Sequence, residues 1–258
     1  MLSWKGALGS LSTSLAFLTR IPLPSFLFRD PISAARAAWA FPLVGLLIGL
    51  AQMVALVMLS ALGLHPLVAA VLVLGGSILL TGALHEDGLG DVADSLGGGT
   101  REKKLAIMKD SRLGTFGVLA LILMVAIKLA LLFELARDLQ TAQALAVLVG
   151  AGMVSRALMT LIWALLPAAS ATGLAAERPS MLTAGVAMVI GALGVVVLLP
   201  LQAGLVLCGL LAAGLVFAAF AVFARWQYGG VTGDVCGATQ ILCELAFFGA
   251  ALSLITTW

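Results

Sequence analysis

Between Thr81 and Thr115 the chain reads TGALHEDGLGDVADSLGGGTREKKLAIMKDSRLGT. This stretch carries six of the twelve acidic residues, Glu86, Asp87, Asp91, Asp94, Glu102 and Asp110, together with Arg101, Lys103, Lys104, Lys109 and Arg112. Asp87, Asp91 and Asp94 are four and three residues apart, a spacing that stacks them on one face of a helix. Three carboxylates on one face repel unless a cation sits between them, and hard oxygen ligands of this kind suit Mg²⁺ or Mn²⁺. Glu86 adjoins the set. The run Lys109-Asp110-Ser111-Arg112-Leu113-Gly114-Thr115 combines dense donors with a flexible glycine, a pattern suited to phosphate oxygens. A solvated acidic loop balanced by basic neighbours is the plainer alternative. Against it, the cluster starts directly at the end of an apolar run, and Gly82, Gly88 and Gly90 permit close approach of backbone or ligand.

Three further positions join this set. Arg156 lies inside an apolar span, and an intramembrane charge is by default a functional hypothesis with a partner. The segment Tyr228-Gly229-Gly230-Val231-Thr232-Gly233-Asp234-Val235-Cys236-Gly237-Ala238 places four glycines around one Asp. That composition is poor for a transmembrane helix and good for a tight substrate-facing loop containing Thr232, Gly233 and Asp234; the plainer reading is a turn with Asp as a helix cap. Glu244, further into an apolar run, needs a cation or a donor.

The elements that must position these residues are membrane spans. The chain is 62% hydrophobic and 10% charged, with a mean hydropathy of +1.17, whereas a soluble domain is roughly a quarter charged. An all-α, polytopic integral membrane protein is expected, residues 1–258 forming a single membrane-embedded catalytic domain. Seven apolar runs, 38–64, 66–84, 117–136, 142–166, 182–199, 204–224 and 240–256, each approach the roughly 20 residues that cross a bilayer. Segment 1–37 reads as an interfacial N-terminal segment with an amphipathic helix, Leu8, Leu11, Leu15 and Leu18 sharing a face. Residues 85–116 and 225–238 read as cytoplasmic catalytic loops. Gly45-x-x-x-Gly49 and Gly191-x-x-Gly194 predict close helix approach. Cys208, Cys236 and Cys243 contain no C-x-x-C pair and read as small apolar residues.

Lys5, Arg20, Arg29 and Arg36 precede the first run, and the basic residues of 101–112, Arg178 and Arg225 follow even-numbered ones. The opposite side receives only Arg137. The positive-inside rule therefore puts the N-terminus in the cytoplasm and the C-terminus outside.

The segments Phe17–Pro24 (FLTRIPLP, which includes Arg20), Phe41–Gly45, His85–Asp94, Ile107–Thr115, Ser155-Arg156 and Gly229–Ala238, in this order among these spans, resemble the cobalamin synthase family (adenosylcobinamide-GDP ribazoletransferases) along nearly the whole chain. The resemblance implies a transferase that joins α-ribazole, or its 5′-phosphate, to adenosylcobinamide-GDP, releases GMP and depends on Mg²⁺. With that reaction in view, Asp94, Asp91 and Asp234 become the expected catalytic residues. Lys109, Arg112, Asp110, Ser111, Arg156, Arg20, Thr232 and Gly233 become the expected phosphate and substrate contacts, and Asp87, Asp91, Asp94, Glu86 and Glu244 the expected metal ligands. Asp94 is the first candidate for the acceptor of the ribose hydroxyl proton. The bilayer is the other expected partner; oligomerisation is compatible with the pattern, and no nucleic acid is expected. The family pattern often carries His where this chain has Phe116, and Glu where it has Ile241.

The carboxylate pattern also looks like that of CDP-alcohol phosphotransferases, but their D-x-x-D-G-x-x-A-R motif is incomplete here: no Asp sits three residues before Asp87 and the Arg is missing. A transporter of an anionic solute would place its charges near the midplane, often with internal repeats, whereas these cluster between spans. The span count has a direct check: a reporter fused after Trp258 should be active only if it works outside the cytoplasm. Activity of a cytoplasm-only reporter there means the count is off by one, near Leu64-His65-Pro66.

Overall fold

Long apolar runs in lipid can satisfy their backbone only as helices or closed barrels, and this chain takes the first course. The computed structural model describes residues 4–28, 32–110 and 112–254. Its α-helices are α1 (Trp4–Leu18), α2 (Ala34–Ala37), α3 (Phe41–Ala61), α4 (Pro66–Thr81), α5 (Leu84–Ser95), α6 (Arg101–Ile107), α7 (Thr115–Arg137), α8 (Thr141–Leu165), α9 (Met181–Tyr228) and α10 (Gly233–Leu252). Among the described residues the only β pairing is an isolated parallel bridge between Ala168 and Val231. Start signals in the sequence act as such: the side chains of Ser33, His65, Thr100, Ser180 and Thr232 each accept a backbone N–H in the first turn of the following helix.

Helix α8 is the axis, buried along nearly all its length. Helix α3 lies against it through Gly45 and Gly49: a Cβ at Gly45 would sit 2.1 Å from the Gly152 carbonyl oxygen, and one at Gly49 2.6 Å from that of Leu148. On the far side of α8, Gly191 and Gly194 of α9 meet Ala157 and Met153. The outer faces of α7 and α9 present Ile122, Leu123, Val196 and Val197 outward, as lipid-facing helices do.

Four boundaries differ from the sequence reading. The runs 182–199 and 204–224 form one 48-residue element. Straight, it would extend about 70 Å, yet residues flanking both its ends are held by residues 164–169. The Arg178 guanidinium donates to the Ala164 carbonyl, Val231 N donates to Pro167 O (2.8 Å), and Ala169 N donates to Val231 O (2.9 Å). The element therefore doubles back where Gln202 leaves helical geometry (φ −155°, ψ 63°), two residues after Pro200. Second, the run 66–84 stops at Thr81, and α5 departs at 87° to α4. Residues 85–116 are thus two helices and the start of α7, not a loop. Third, α10 begins at Gly233, not near 240, so the loop expected over 225–238 shrinks to the four residues 229–232. Fourth, α1 turns its serine face inward. Ser10, Ser12 and Ser14 are buried and Leu8 is exposed. Their hydroxyls are satisfied by the carbonyls of Gly6, Leu8 and Ala37, while Leu18 at the other end of the expected leucine face is buried in the core.

With α4 taken as a short span that ends at the bend and α9 as two, the helices supply seven apolar segments for a membrane. Gly45→Ala should destabilise the protein by about 1–3 kcal/mol through overpacking, read as a lower apparent Tm in detergent. Gly76→Ala, at a position where an added Cβ meets open space, should not lower it. Equal losses from both variants would show that the α3–α8 contact is not what limits stability.

Candidate active site

The site is built at the α4–α5 corner. Gly82 (φ 66°) and Ala83 (φ 57°) both lie in the left-handed region, a strained choice for Ala83 that reverses the chain direction in two residues. Arg20 braces this corner. Its N donates to Leu80 O (2.7 Å) and its guanidinium lies over Gly82, where a Cβ would come within 2.1 Å of Nε. A cation at the C-terminal end of α4 also meets the negative end of the helix dipole. Beyond the corner α5 is continuous, so Asp87, Asp91 and Asp94 share its outer face. Asp87 is exposed and the other two half-buried, whereas His85, Glu86, Leu89 and Val92 point inward.

Helix α10 meets this face through glycine. A Cβ at Gly88 would lie 2.9 Å from the Asp234 carbonyl oxygen and 3.0 Å from its Cα, and one at Gly237 would lie 3.3 Å from His85 Cα. Thr232 caps α10, accepting from Val235 N (3.1 Å) and donating to Asp234 Oδ2 (3.3 Å), so Asp234 stands in the first turn beside α5. Gly229 and Gly230 serve packing. Gly229 has φ 69° and lies under the Arg101 guanidinium, and a Cβ at Gly230 would be 2.0 Å from Pro167 O. Gly233 opens α10 beside Leu174.

The gathering of carboxylates has an electrostatic signature. Burial, then the charges of Asp234, Asp87 and Asp94, push the Asp91 carboxyl up to about 7. Asp94 differs from its neighbours on α5. Its oxygens accept the N–H groups of Gly114 and Gly117, each at 2.7 Å, and so cap α7, whose own N-cap glycine has no side chain to do so. Among the described residues no three His, Cys, Asp or Glu side chains converge on one metal position. The three-carboxylate cage on α5 is therefore not formed, because Asp94 is turned to the α7 backbone. The residues still fit Mg²⁺ in its usual mode, one or two carboxylates completed by substrate phosphates, and Asp87, Asp91 and Asp234 are the carboxylates from which those would be drawn.

Glu86, Glu244 and Arg156, expected as metal ligands and a phosphate contact, belong to a different cluster inside the bundle. Glu244 pairs with Lys128 (3.1 Å) and accepts from Gln240 Nε2 (2.9 Å), which also reaches Ser155 Oγ (3.1 Å). Arg156 Nη1 donates to Gly152 O (3.2 Å). With Glu86, His85 and Gln52 these groups surround a void of about 10 Å³, about the size of one water. The cation that Glu244 requires is Lys128, and a buried charge so paired has no call on a metal. Two opposite charges in apolar spans, 128 and 244, were the available signal, since unpaired charges in lipid must find each other.

The basic segment is tied to the bundle at several points. Lys104 Nζ donates to Gln227 Oε1, and Met108 is buried. Lys109 is exposed. Arg112 holds Asp110 by Nη2–Oδ2 (2.7 Å) and by Nε (3.1 Å), which keeps the Asp110 carboxyl below its ordinary range. A phosphate must therefore compete with Asp110 for this guanidinium. Ser111 lies outside the described residues. Phe116 is exposed, and Ile241 is buried in the core.

Comparison with known proteins matches the family model described as cobalamin-5-phosphate synthase over residues 10–252. Relatives named adenosylcobinamide-GDP ribazoletransferase include one from Rhizobium etli, 43% identical over 239 residues, covering 90% of this chain and 92% of the relative. Another, from Azorhizobium caulinodans, is 43% identical over 254 residues (95% and 96%), and one from Mesorhizobium japonicum is 42% identical over 246 residues (95% and 93%). No solved structure matches the chain.

The two carboxylates of α5 should separate by stability. Asp94→Ala uncaps α7 and should cost about 1–2 kcal/mol, lowering the apparent Tm. Asp91→Asn removes a repelled charge and should leave Tm unchanged or slightly higher at pH 8. A loss from Asp91→Asn as large as that from Asp94→Ala would contradict this assignment.

Proposed function

This chain belongs to the cobalamin-5-phosphate synthase family, and we propose that it joins ribazole to adenosylcobinamide-GDP at the carboxylate opening between α5 and α10. The observation that carries the reading is the glycine contact that sets Asp234 of α10 beside the α5 face bearing Asp87 and Asp91. Asp91 is half-buried there, and burial and the neighbouring carboxylates raise its proton affinity, so it is the carboxyl suited to accept a proton. A ribose hydroxyl oxygen of α-ribazole, or of its 5′-phosphate, forms a bond to the cobinamide-bearing phosphorus, and its proton passes to Asp91. The phosphorus–oxygen bond to the guanylate breaks, GMP leaves with the electron pair, and adenosylcobalamin or its 5′-phosphate results. Asp91 replaces Asp94 in this role, since both Asp94 oxygens are engaged by the α7 backbone.

Asp87 and Asp234, with Asp91 beside them, would hold Mg²⁺ together with the substrate phosphates. Bound there, the ion would neutralise charge on the non-bridging and leaving oxygens. Lys109 and Arg112 approach the nucleotide phosphates from the loop before α7, Arg112 by exchanging Asp110 for phosphate in the same planar fork. Arg20 supports the site by bracing its corner. The excess of Lys and Arg at the site end supports an orientation with that end in the cytoplasm of a bacterial or archaeal cell, where nucleotide substrates are found, and the spans in the cytoplasmic membrane. Phospholipid synthesis of the CDP-alcohol type is disfavoured because the motif lacks its Arg.

Release of GMP from adenosylcobinamide-GDP by the purified protein, dependent on α-ribazole, tests the activity; its absence sinks the reading. Asp91→Asn should insert and fold but lose at least about 100-fold in turnover. The raised Asp91 value also sets a pH dependence. The uncomplexed site holds its proton up to about pH 7, and proton and cation compete, so apparent Mg²⁺ affinity should rise from pH 6 to pH 8 and level off above. An affinity flat across that range, or a fully active Asp91→Asn, excludes Asp91 from the metal and proton chemistry.

A further inference from the structure

Between α1, α2 and the start of α9 lies a cavity of about 700 Å³ whose lining includes Arg36, Trp39, Arg178, Leu182 and Val186 and, among the described residues, no carboxylate. We propose that this cavity seats a phospholipid with an anionic headgroup, its phosphate held by Arg36 and Arg178 and one acyl chain laid along the outer face of α9. The inference needs only the membrane setting of the chain and is independent of the transfer reaction.

Charge selects the polar end of the occupant. Ser33, the cap of α2, donates to Glu177 Oε1 (2.6 Å). Arg36 lies one turn further along α2 and Arg178 adjoins Glu177, so this bond holds the two basic segments side by side. Glu177 itself is not part of the lining. Among the described residues neither arginine forms an ion pair. Arg36 is exposed and donates only its backbone N–H, to Ser33 Oγ. Arg178 gives Nη2 to the Ala164 carbonyl and keeps its other donors. Two guanidinium groups without an acid suit the oxygens of a phosphate. Basic pockets beside membrane spans take anionic lipid headgroups on the same grounds.

The apolar end decides between a lipid and a soluble phosphate. Leu182 and Val186 stand in the first two turns of α9, and Val189, Leu193 and Val196 continue from them at spacings of three, four and three. Such spacing keeps all five on one helix face. Leu182, Val189, Leu193 and Val196 are exposed and Val186 is half-buried. An apolar stripe therefore leaves the cavity and follows the span into the hydrocarbon. A nucleoside diphosphate or inorganic phosphate would occupy the basic end and leave the stripe bare, whereas a phospholipid joins an anion to a chain that covers it. Trp39, half-buried in the same wall, is the residue type that settles at headgroup depth. A cavity within the roughly 300–1,000 Å³ of ligand sites takes the headgroup, the glycerol and the upper chain. The opposite wall is Gly6 and Ser10 of α1. The lipid would thus join α1 to α9, and α1 leads directly into Arg20, the brace of the α4–α5 corner.

The test uses the full-length protein purified in detergent, with apparent Tm read at equal added concentrations of dioleoylphosphatidylglycerol, dioleoylphosphatidylcholine or inorganic phosphate. The phosphatidylglycerol should raise Tm by at least about 3 °C, and the other two should not match it. Arg36→Gln should leave Tm without added lipid unchanged and remove at least about half of the phosphatidylglycerol shift. Val186→Trp fills the chain end of the groove, keeps both arginines and should also reduce the shift; it decides the matter if Arg36→Gln does not accumulate. Equal shifts from the two lipids would show no headgroup selection and overturn the proposal. A full shift in both variants would put the lipid elsewhere on the protein and overturn it as well. A shift reproduced by inorganic phosphate, lost in Arg36→Gln and kept in Val186→Trp, would assign the groove to a phosphate-bearing substrate instead. None of these readouts uses turnover, so failure here leaves the transfer reading standing, and a failure of GMP release leaves the lipid seat standing.

Discussion

Gly88 lies so close to Asp234 that a Cβ there would come within 2.9 Å of the Asp234 carbonyl oxygen. The placement of the active-site groups depends on this contact. Helix α5 carries Asp87 and Asp91, α10 carries Asp234, and only the absence of side chains at Gly88 and Gly237 lets the two backbones touch. The same closeness raises the electrostatic cost of the site. Asp91 retains its proton to about pH 7 because Asp234, Asp87 and Asp94 surround a partly desolvated carboxyl. A site assembled under mutual repulsion is one that a cation or a proton can relax, and the chemistry assigned to it requires both.

Holding repelling groups together needs rigid support, and it comes from three directions. Arg20 packs over the left-handed corner at Gly82 that aims α5 across the bundle end. Asp94 fastens α5 to α7 through two backbone N–H groups. Tyr228, at the end of α9, bonds Ser95 at the end of α5 (2.8 Å) in a fully buried contact. These anchors come from helices that close the bundle independently, so the carboxylate face is positioned by the fold rather than by its own interactions. The bridge between Ala168 and Val231 has a similar purpose. It ties the connection before α9 to the connection after it, and so fixes the first turn of α10.

The bundle keeps two polar systems apart. Lys128, Glu244 and Gln240 satisfy one another inside the helices, where Arg156 donates to the Gly152 carbonyl, while Asp87, Asp91 and Asp234 gather at the opening. His85 stands between them, lining the interior void on one side and, on the other, a cavity of about 190 Å³ that reaches Asp87 and Asp234. In lipid the interior charges have no water to fall back on, so each must be matched within the protein. At the opening water and substrate are available, and imbalance is tolerated.

How much was legible follows from the range over which each effect acts. The runs of about 20 apolar residues point to a helical membrane bundle, because a barrel strand is about half that length and alternates in polarity. The four- and three-residue spacing places Asp87, Asp91 and Asp94 on one helix face, since that is a property of a single helix. Gly45 and Gly49 mark a close helix contact for the same local reason. The partners of those faces were decided by tertiary structure. Nothing near Asp94 in sequence says that its oxygens cap α7 twenty residues on. Glu244 reads as a metal ligand until Lys128, more than a hundred residues earlier, is found beside it. The break at Gln202 and the bend at Ala83 were hidden because φ and ψ at one residue leave little trace in hydropathy, yet those two positions determine which helix ends meet. Spacing along a helix is set by backbone geometry that every sequence shares. Pairing across helices is set by packing, which depends on all the segments at once.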